Sequence, residues 1–218
     1  LRNAVDCVVV IADLSHPRAA KLLFDAVTAR GLQVDTLVNN AGYGVPGSYL
    51  SFDWEEHARF LQVLVTSVCE LTWRFLPGIR ASGQGRILNV ASFAGLSPGS
   101  KGQTLYAGAK SFLIKFSESL ALENATAGVR VCALCPGFTY SEFHDVTGTR
   151  ALVSQLPKWM WLDTDVVAKL GVDGAEQGRV VVVPGFGYKL MRFAFKHLPD
   201  ATARRMMAKR SARMRDAR

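Results

Sequence analysis

Short, nearly unbroken runs of Val, Ile and Leu recur along this chain, each ending in a polar or glycine-containing cluster. The runs are Val5–Ala12, Val34–Val38, Arg86–Val90, Val129–Leu134 and Arg179–Val183. They end in Asp13-Leu14, Asn39-Asn40-Ala41-Gly42, Ala91-Ser92, Cys135-Pro136-Gly137 and Pro184-Gly185. Helical stretches lie between them. One follows Pro17 to Arg30, capped by Ser15 or Asp13; others span about Asp53 to Arg80 and Gln103 to about Ala127. A loop-rich stretch, Phe138–Leu162, precedes a short helix opening at Thr164 or Asp165. Strands that are apolar throughout, rather than alternating, belong to a parallel sheet covered by helices on both faces. The predicted fold is therefore a doubly wound parallel α/β sheet, and 218 residues suit one such domain.

Composition excludes several classes. With 49% hydrophobic and 20% charged residues the chain is neither disordered nor fibrous. Four cysteines are too few for a disulfide scaffold, which points to a reducing, cytoplasmic compartment. Cys132 and Cys135 fall on opposite faces of a strand and read as core. The histidines show no ligand spacing, so no metal is expected. No apolar run is long enough to span a bilayer, and Leu1–Asp6 carries no secretory pattern. The net charge of +8 sits wholly in residues 189–218, while residues 1–188 balance. That distribution argues against a nucleic-acid-binding body. It also divides the chain into a domain, 1–188, and a basic tail, 189–218.

Ligands of open parallel sheets bind beyond the carboxyl ends of the strands, where these polar clusters lie. Downstream of Ser92, Tyr106 and Lys110 are four residues apart at the start of a helix and share a face. An ammonium near a phenol favours the phenolate and lowers its pKa. A tyrosine so placed is an acid or base, with a serine hydroxyl to hold the reacting oxygen. Such a set suits proton transfer to or from a carbonyl or alcohol, the partner step of hydride transfer.

With these residues together, the chain resembles the short-chain dehydrogenase/reductase family in its single-domain form, from roughly Val8 to Gly185. The resemblance rests on Asp13-Leu14, Asn39-Asn40-Ala41-Gly42, Gly85 to Ser92, Tyr106-x-x-x-Lys110 and Pro136-Gly137-Phe138-Thr139 in order. It implies an NAD- or NADP-dependent oxidoreductase with a Rossmann-like fold. Tyr106 is implied as general acid/base, Ser92 as the residue orienting the substrate oxygen, and Lys110 as the ligand of the nicotinamide ribose. It further implies Asp13 and Leu14 at the adenine, though Asp13 also reads as a plain helix cap. Asn40, Ala41 and Gly42 are implied along the cofactor cleft, Pro136, Gly137 and Thr139 near the nicotinamide, and Ser141 toward the phosphates. Family members pair through their long helices, so a homodimer or tetramer is expected through the segments near Asp53–Arg80 and Gln103–Ala127.

Two departures from the family pattern stand out. An asparagine expected in the long central helix is replaced by Leu64, which cannot hold the water of a proton relay. The glycine-rich turn and the two strands around it do not occur, because only Leu1–Cys7 precedes the strand that should be third. The expectation is an N-terminally truncated sheet, through a misplaced start or a degenerate gene; the alternative has Val8–Ile11 sliding in to pair with Val34–Val38. A truncated, catalytically impaired member kept for subunit or partner contacts is the second functional reading. The choice between NAD and NADP is made on the missing second strand.

The stretch Phe138–Leu162 holds Phe138, Tyr140, Phe143, Trp159, Met160 and Trp161, suited either to a lipophilic substrate or to loop packing. In the tail, Leu190, Met191, Ala194, Phe195 and Leu198 are expected on one helix face opposite Lys189, Arg192 and Lys196. After Pro199, Asp200 caps a second basic helix with Met206, Met207 and Met214. Such helices suit weak peripheral contact with an anionic membrane, cover over the substrate mouth, or a subunit contact.

Overall fold

The computed structural model describes residues 5–215, with the side chains of 151, 152 and 209–215 left aside. Its strands are β1 (Thr36–Asn39), β2 (Arg86–Val90), β3 (Arg130–Leu134) and β4 (Val181–Val182). All pair in parallel, in chain order β1-β2-β3-β4. The helices are α1 (Ala19–Thr28), α2 (Trp54–Leu61), α3 (Ser67–Ala81), α4 (Thr104–Asn124), α5 (Phe143–Val146), α6 (Arg150–Val153), α7 (Thr164–Glu176), α8 (Phe186–His197) and α9 (Asp200–Arg215).

The two faces of the sheet are covered differently, as strand alternation requires. Ile87 and Val131 face α3 and α4, packing with Leu71, Phe75, Ile79 and Leu120. Leu88, Cys132 and Leu134 face α7, packing with Val167 and Ala175. Cys135 lies in the cluster of Ala91, Leu113 and Val183 instead, so the two cysteines occupy separate cores. The sequence places β2 on its observed residues. The long helix from Asp53 is interrupted by a π-helical turn at Gln62–Thr66, which carries Leu64. Asp53 and Asp163 accept backbone N–H groups and start α2 and α7.

Three expectations are corrected. Val5–Ala12 forms no strand: Val8, Val9 and Ile11 are exposed, Ile11 at 96%. An apolar run becomes a strand only where a neighbour supplies ladder partners, and β1 pairs with β2 alone. Val8–Ile11 has therefore not slid in beside β1, and Val38 stays 51% exposed. Neither Ser15 nor Asp13 caps α1, whose first residue is Ala19 after Arg18; Asp13 Oδ1 instead accepts Ser15 N–H at 2.9 Å in the turn before it. Leu190 leaves the buried face of α8, at 58% exposed, while Met191 and Phe195 pack inward with Tyr188. Met214 lies outside the described side chains.

Two glycines have spatial reasons. Gly128 ends the turn after α4 at φ +71, where a Cβ would also meet the Gly83 carbonyl oxygen. Gly137, just past β3, lies against the Tyr188 ring so closely that a Cβ would fall 1.8 Å from Cζ. Tyr188 reaches back from α8, accepting Phe138 N–H at 2.9 Å and donating to the Met160 carbonyl at 2.6 Å. Gly137 thus lets one aromatic side chain tie the β3 end to the loop that follows.

Candidate active site

At the carboxyl ends of β1, β2 and β3 the polypeptide leaves a cleft of about 1470 Å³. Asn40, Gly42, Ser92, Tyr106, Lys110, Pro136, Gly137 and Thr139 line it. Ser141 is there too. Three residues expected at the site are not on its wall. Asp13 is exposed and occupied with Ser15, which holds its carboxyl below the usual range. The Leu14 carbonyl accepts the buried Ser67 hydroxyl at 2.9 Å, and the Leu14 side chain packs inward. Ala41 is exposed outside the cleft.

Ser92 sits at the exit of β2. Its hydroxyl accepts Ala94 N–H at 3.1 Å, and the following Phe93 N–H is bound by the Pro136 carbonyl at 2.8 Å. The second of these bonds ties the β2 exit to the β3 exit. Tyr106 is held in the first turns of α4, with the Phe143 ring 5.9 Å away. Lys110, one helical turn on, is buried and donates to the Val90 carbonyl at 2.7 Å, with its Nζ 5.8 Å from the Tyr106 ring centre. Leu64 is buried in a cluster with Phe60, Val63 and Ala109; a Cβ on Gly42 would lie 3.8 Å from both Leu64 Cγ and Lys110 Nζ. Leu64, where the resemblance implies an asparagine, is thus apolar and shares the surroundings of Gly42 with Lys110.

The electrostatics depart from the sequence expectation. Burial raises the Tyr106 phenol above its ordinary 10.0, and only the Ser92 hydroxyl acts in the opposite direction. Lys110 adds no lowering; its ammonium is bound to the Val90 carbonyl and is itself brought down to about 8 by burial. Burial also pushes the Cys132 and Cys135 thiols up to about 11 and about 12. These shifts give a stability profile. From about pH 8 the folded chain releases a Lys110 proton that the unfolded chain still holds, so stability rises. Above about pH 9 the unfolded chain ionises thiols that the fold keeps neutral, and stability falls. Chemical denaturation followed across this range is expected to show greatest stability near pH 9. Lys110→Met should keep the fall and lose the rise.

Some residues of the site were given no role of their own from the sequence. Asn39 donates to Asn89 Oδ1 at 2.8 Å and Asn89 donates to Ser117 Oγ at 2.8 Å, all three buried. This chain bolts β1 and β2 to α4 beneath the cleft floor. Its signal was legible: Asn89 interrupts an otherwise apolar strand, and a buried amide needs partners. His144, Thr147 and Thr149 form a second buried polar group on the cleft wall, with the two threonine hydroxyls 2.9 Å apart. Phe138, Phe143 and Met160 also line the cleft, whereas Tyr140 and Trp161 stack on each other outside it at 4.8 Å.

Known proteins resemble this chain in sequence and in fold. A family model described as short chain dehydrogenase matches residues 1–150. The oxidoreductase UcpA of Escherichia coli (strain K12) is 32% identical over 132 residues, 61% of this chain and 50% of that protein. The 3-oxoacyl-acyl-carrier-protein reductase FabG of Vibrio cholerae is 36% identical over 126 residues, 58% of this chain and 51% of that protein. The chain therefore spans about half the length of these curated relatives. Among solved structures, one concerning 7β-hydroxysteroid dehydrogenase stereoselectivity superposes with a TM-score of 0.77 at 25% identity, covering 91% of this chain and 75% of its own. The Pseudomonas aeruginosa RhlG/NADP complex superposes with a TM-score of 0.71 at 27% identity, covering 84% of this chain and 77% of its own.

Proposed function

Since this chain belongs to the short chain dehydrogenase family, we propose that its cleft interconverts a carbonyl and an alcohol on a lipophilic substrate, with NAD or NADP as cofactor. The observation that carries this reading is the meeting of Ser92, Tyr106 and Lys110 on one wall of the cleft, beside Pro136 and Gly137. Phe93, Phe138, Phe143 and Met160 supply an apolar lining for the substrate.

The residues fit the reacting half of such a cofactor. Gly42 and Gly137 line the cleft, Gly42 with Lys110 Nζ beside it to meet the ribose hydroxyls and Gly137 with the Tyr188 ring against it. The adenine-holding part is not matched among the described residues, since Asp13 and Leu14 are engaged elsewhere, while Ser141 lines the cleft on the side assigned to the phosphates. When bound, the nicotinamide supplies or accepts a hydride. Ser92 Oγ holds the substrate oxygen, and Tyr106 Oη gives it a proton or takes one. Lys110, held by the Val90 carbonyl, is left to the ribose hydroxyls, and the Ser92 hydroxyl favours the developing phenolate in a site whose burial disfavours charge. Leu64 offers no polar group, so the proton that reloads Tyr106 comes through the open cleft. Subunit contacts as a homodimer or tetramer are placed on α2, α3 and α4, where Trp54, Trp73, Phe112 and Leu122 are exposed.

The test is ketone-dependent oxidation of NADPH or NADH by the purified chain, with aromatic and long-acyl ketones against acetone. Turnover that favours the larger ketones is expected. Turnover without ketone, or none with any ketone under saturating cofactor, would overturn the reading and favour the impaired member kept for partner contacts.

A further inference from the structure

Helix α8 is apolar on two opposite faces. Tyr188, Met191 and Phe195 face inward and close one side of the cleft. Phe186, Leu190 and Phe193, at spacings of four and three, form an outward ridge at 81%, 58% and 62% exposure. The Trp159 ring, 63% exposed, extends this ridge by lying on Gly187, where a Cβ would come 2.9 Å from it. Lys189 and Lys196 are exposed along one flank of the ridge, and Lys158 is exposed beside Trp159. Helix α9 continues with exposed Arg204 and Arg205, and Met207 of the same helix lines the cleft. The whole net charge of the chain lies in these two helices and the residues after them. Among the described residues no helix is long and apolar enough to cross a membrane.

We propose that this ridge is a docking surface for an anionic phospholipid bilayer, on which α8 lies flat with Phe186, Leu190, Phe193 and Trp159 in the headgroup layer. Exposed aromatics with lysines beside them are what an interfacial helix needs: apolar area to bury and cations for lipid phosphates. The charge decides between occupants. A second copy of this chain would bring another basic tail against the first, whereas an anionic surface neutralises it. Because the opposite face of α8 and Met207 form the cleft wall, docking brings the cleft close to the lipid phase, where a lipophilic substrate is concentrated.

The test reads binding and needs no turnover. The chain is sedimented with vesicles of phosphatidylcholine alone or mixed with phosphatidylglycerol, at low and high salt. Binding is expected only to the mixed vesicles, weakening with salt as surface charges are screened. Lys189→Glu with Lys196→Glu should weaken it at least about tenfold, and so should Phe186→Ser with Phe193→Ser. Both pairs are exposed, so unchanged circular dichroism and thermal midpoint are the folding control. Tryptophan emission should shift to the blue on mixed vesicles, and Trp159→Phe should remove most of that shift. Equal sedimentation with both vesicle types, or with none, overturns the proposal. So does wild-type binding by the phenylalanine variant, which would leave the tail's charge alone responsible. Dissociation of a vesicle-free dimer by that variant would also overturn it, assigning the ridge to a second copy.

Discussion

Replacing Tyr106 by phenylalanine should lower carbonyl reduction by about 10² to 10⁴, the usual contribution of a positioned general acid. Its ring is held by α4 and by the Phe143 ring, contacts that phenylalanine keeps. Fold and cofactor affinity should therefore change little, and the loss should fall on kcat rather than KM. The pH dependence is informative as well. Burial sets the phenol above its ordinary value, so Tyr106 carries its proton throughout the neutral range. Reduction, which consumes that proton, should stay level through neutral pH and decline above it, while alcohol oxidation should rise with pH. Steady-state kinetics of both directions, wild type against Tyr106→Phe, give the measurement. A variant with wild-type kcat would remove Tyr106 from the chemistry.

Gly137→Ala should be the most damaging small substitution near the cleft. The added methyl would sit 1.8 Å from Tyr188 Cζ, so either the β3 exit or the α8 start must move. Overpacking of this kind costs about 1–3 kcal/mol, and the depth of the overlap places this case at the upper end. The movement also breaks the bonds from Tyr188 to Phe138 N–H and the Met160 carbonyl. Activity should fall with stability, because Gly137 and Phe138 line the cleft. Tyr188→Ala removes the clashing ring and has its own cost from the lost packing. In the double variant the two costs should sum to less than their separate values, as they do for residues in contact. Urea denaturation of the four proteins reads this coupling directly. Strict additivity would mean that the Gly137–Tyr188 contact does not set the geometry.

The parallel α/β fold was legible because its signals are local. Strand β2 reads as Arg86–Val90 in sequence and structure alike, since an apolar run bounded by Gly85 and Ser92 leaves little freedom. Ser92, Tyr106 and Lys110 were legible as a set through the four-residue spacing and the strand exit, and the fold brings them to one wall. Features that depend on a distant neighbour were not. Val8–Ile11 has strand composition, but its fate is decided by whether another strand lies beside it. Tyr188 meets Gly137 across fifty residues of chain with no periodic signal to announce it. Leu190 has the spacing of a buried residue and faces outward, because α8 carries two apolar stripes and periodicity does not say which one is covered. The Tyr106 phenol illustrates the same limit in electrostatics: spacing to Lys110 predicts a lowered pKa, and the depth of burial reverses it.

The most direct measurement is titration of the 218-residue chain with NADPH, NADH and reduced nicotinamide mononucleotide, followed by nicotinamide fluorescence, for wild type and Lys110→Met. The proposed function puts the nicotinamide and its ribose in the cleft, so a saturable change with all three nucleotides is expected, with Lys110→Met weakening each about tenfold or more. The mononucleotide should bind within a few-fold of the dinucleotides. No saturable change, or equal binding by wild type and Lys110→Met, would contradict the placement of the nicotinamide beside Ser92, Tyr106 and Lys110.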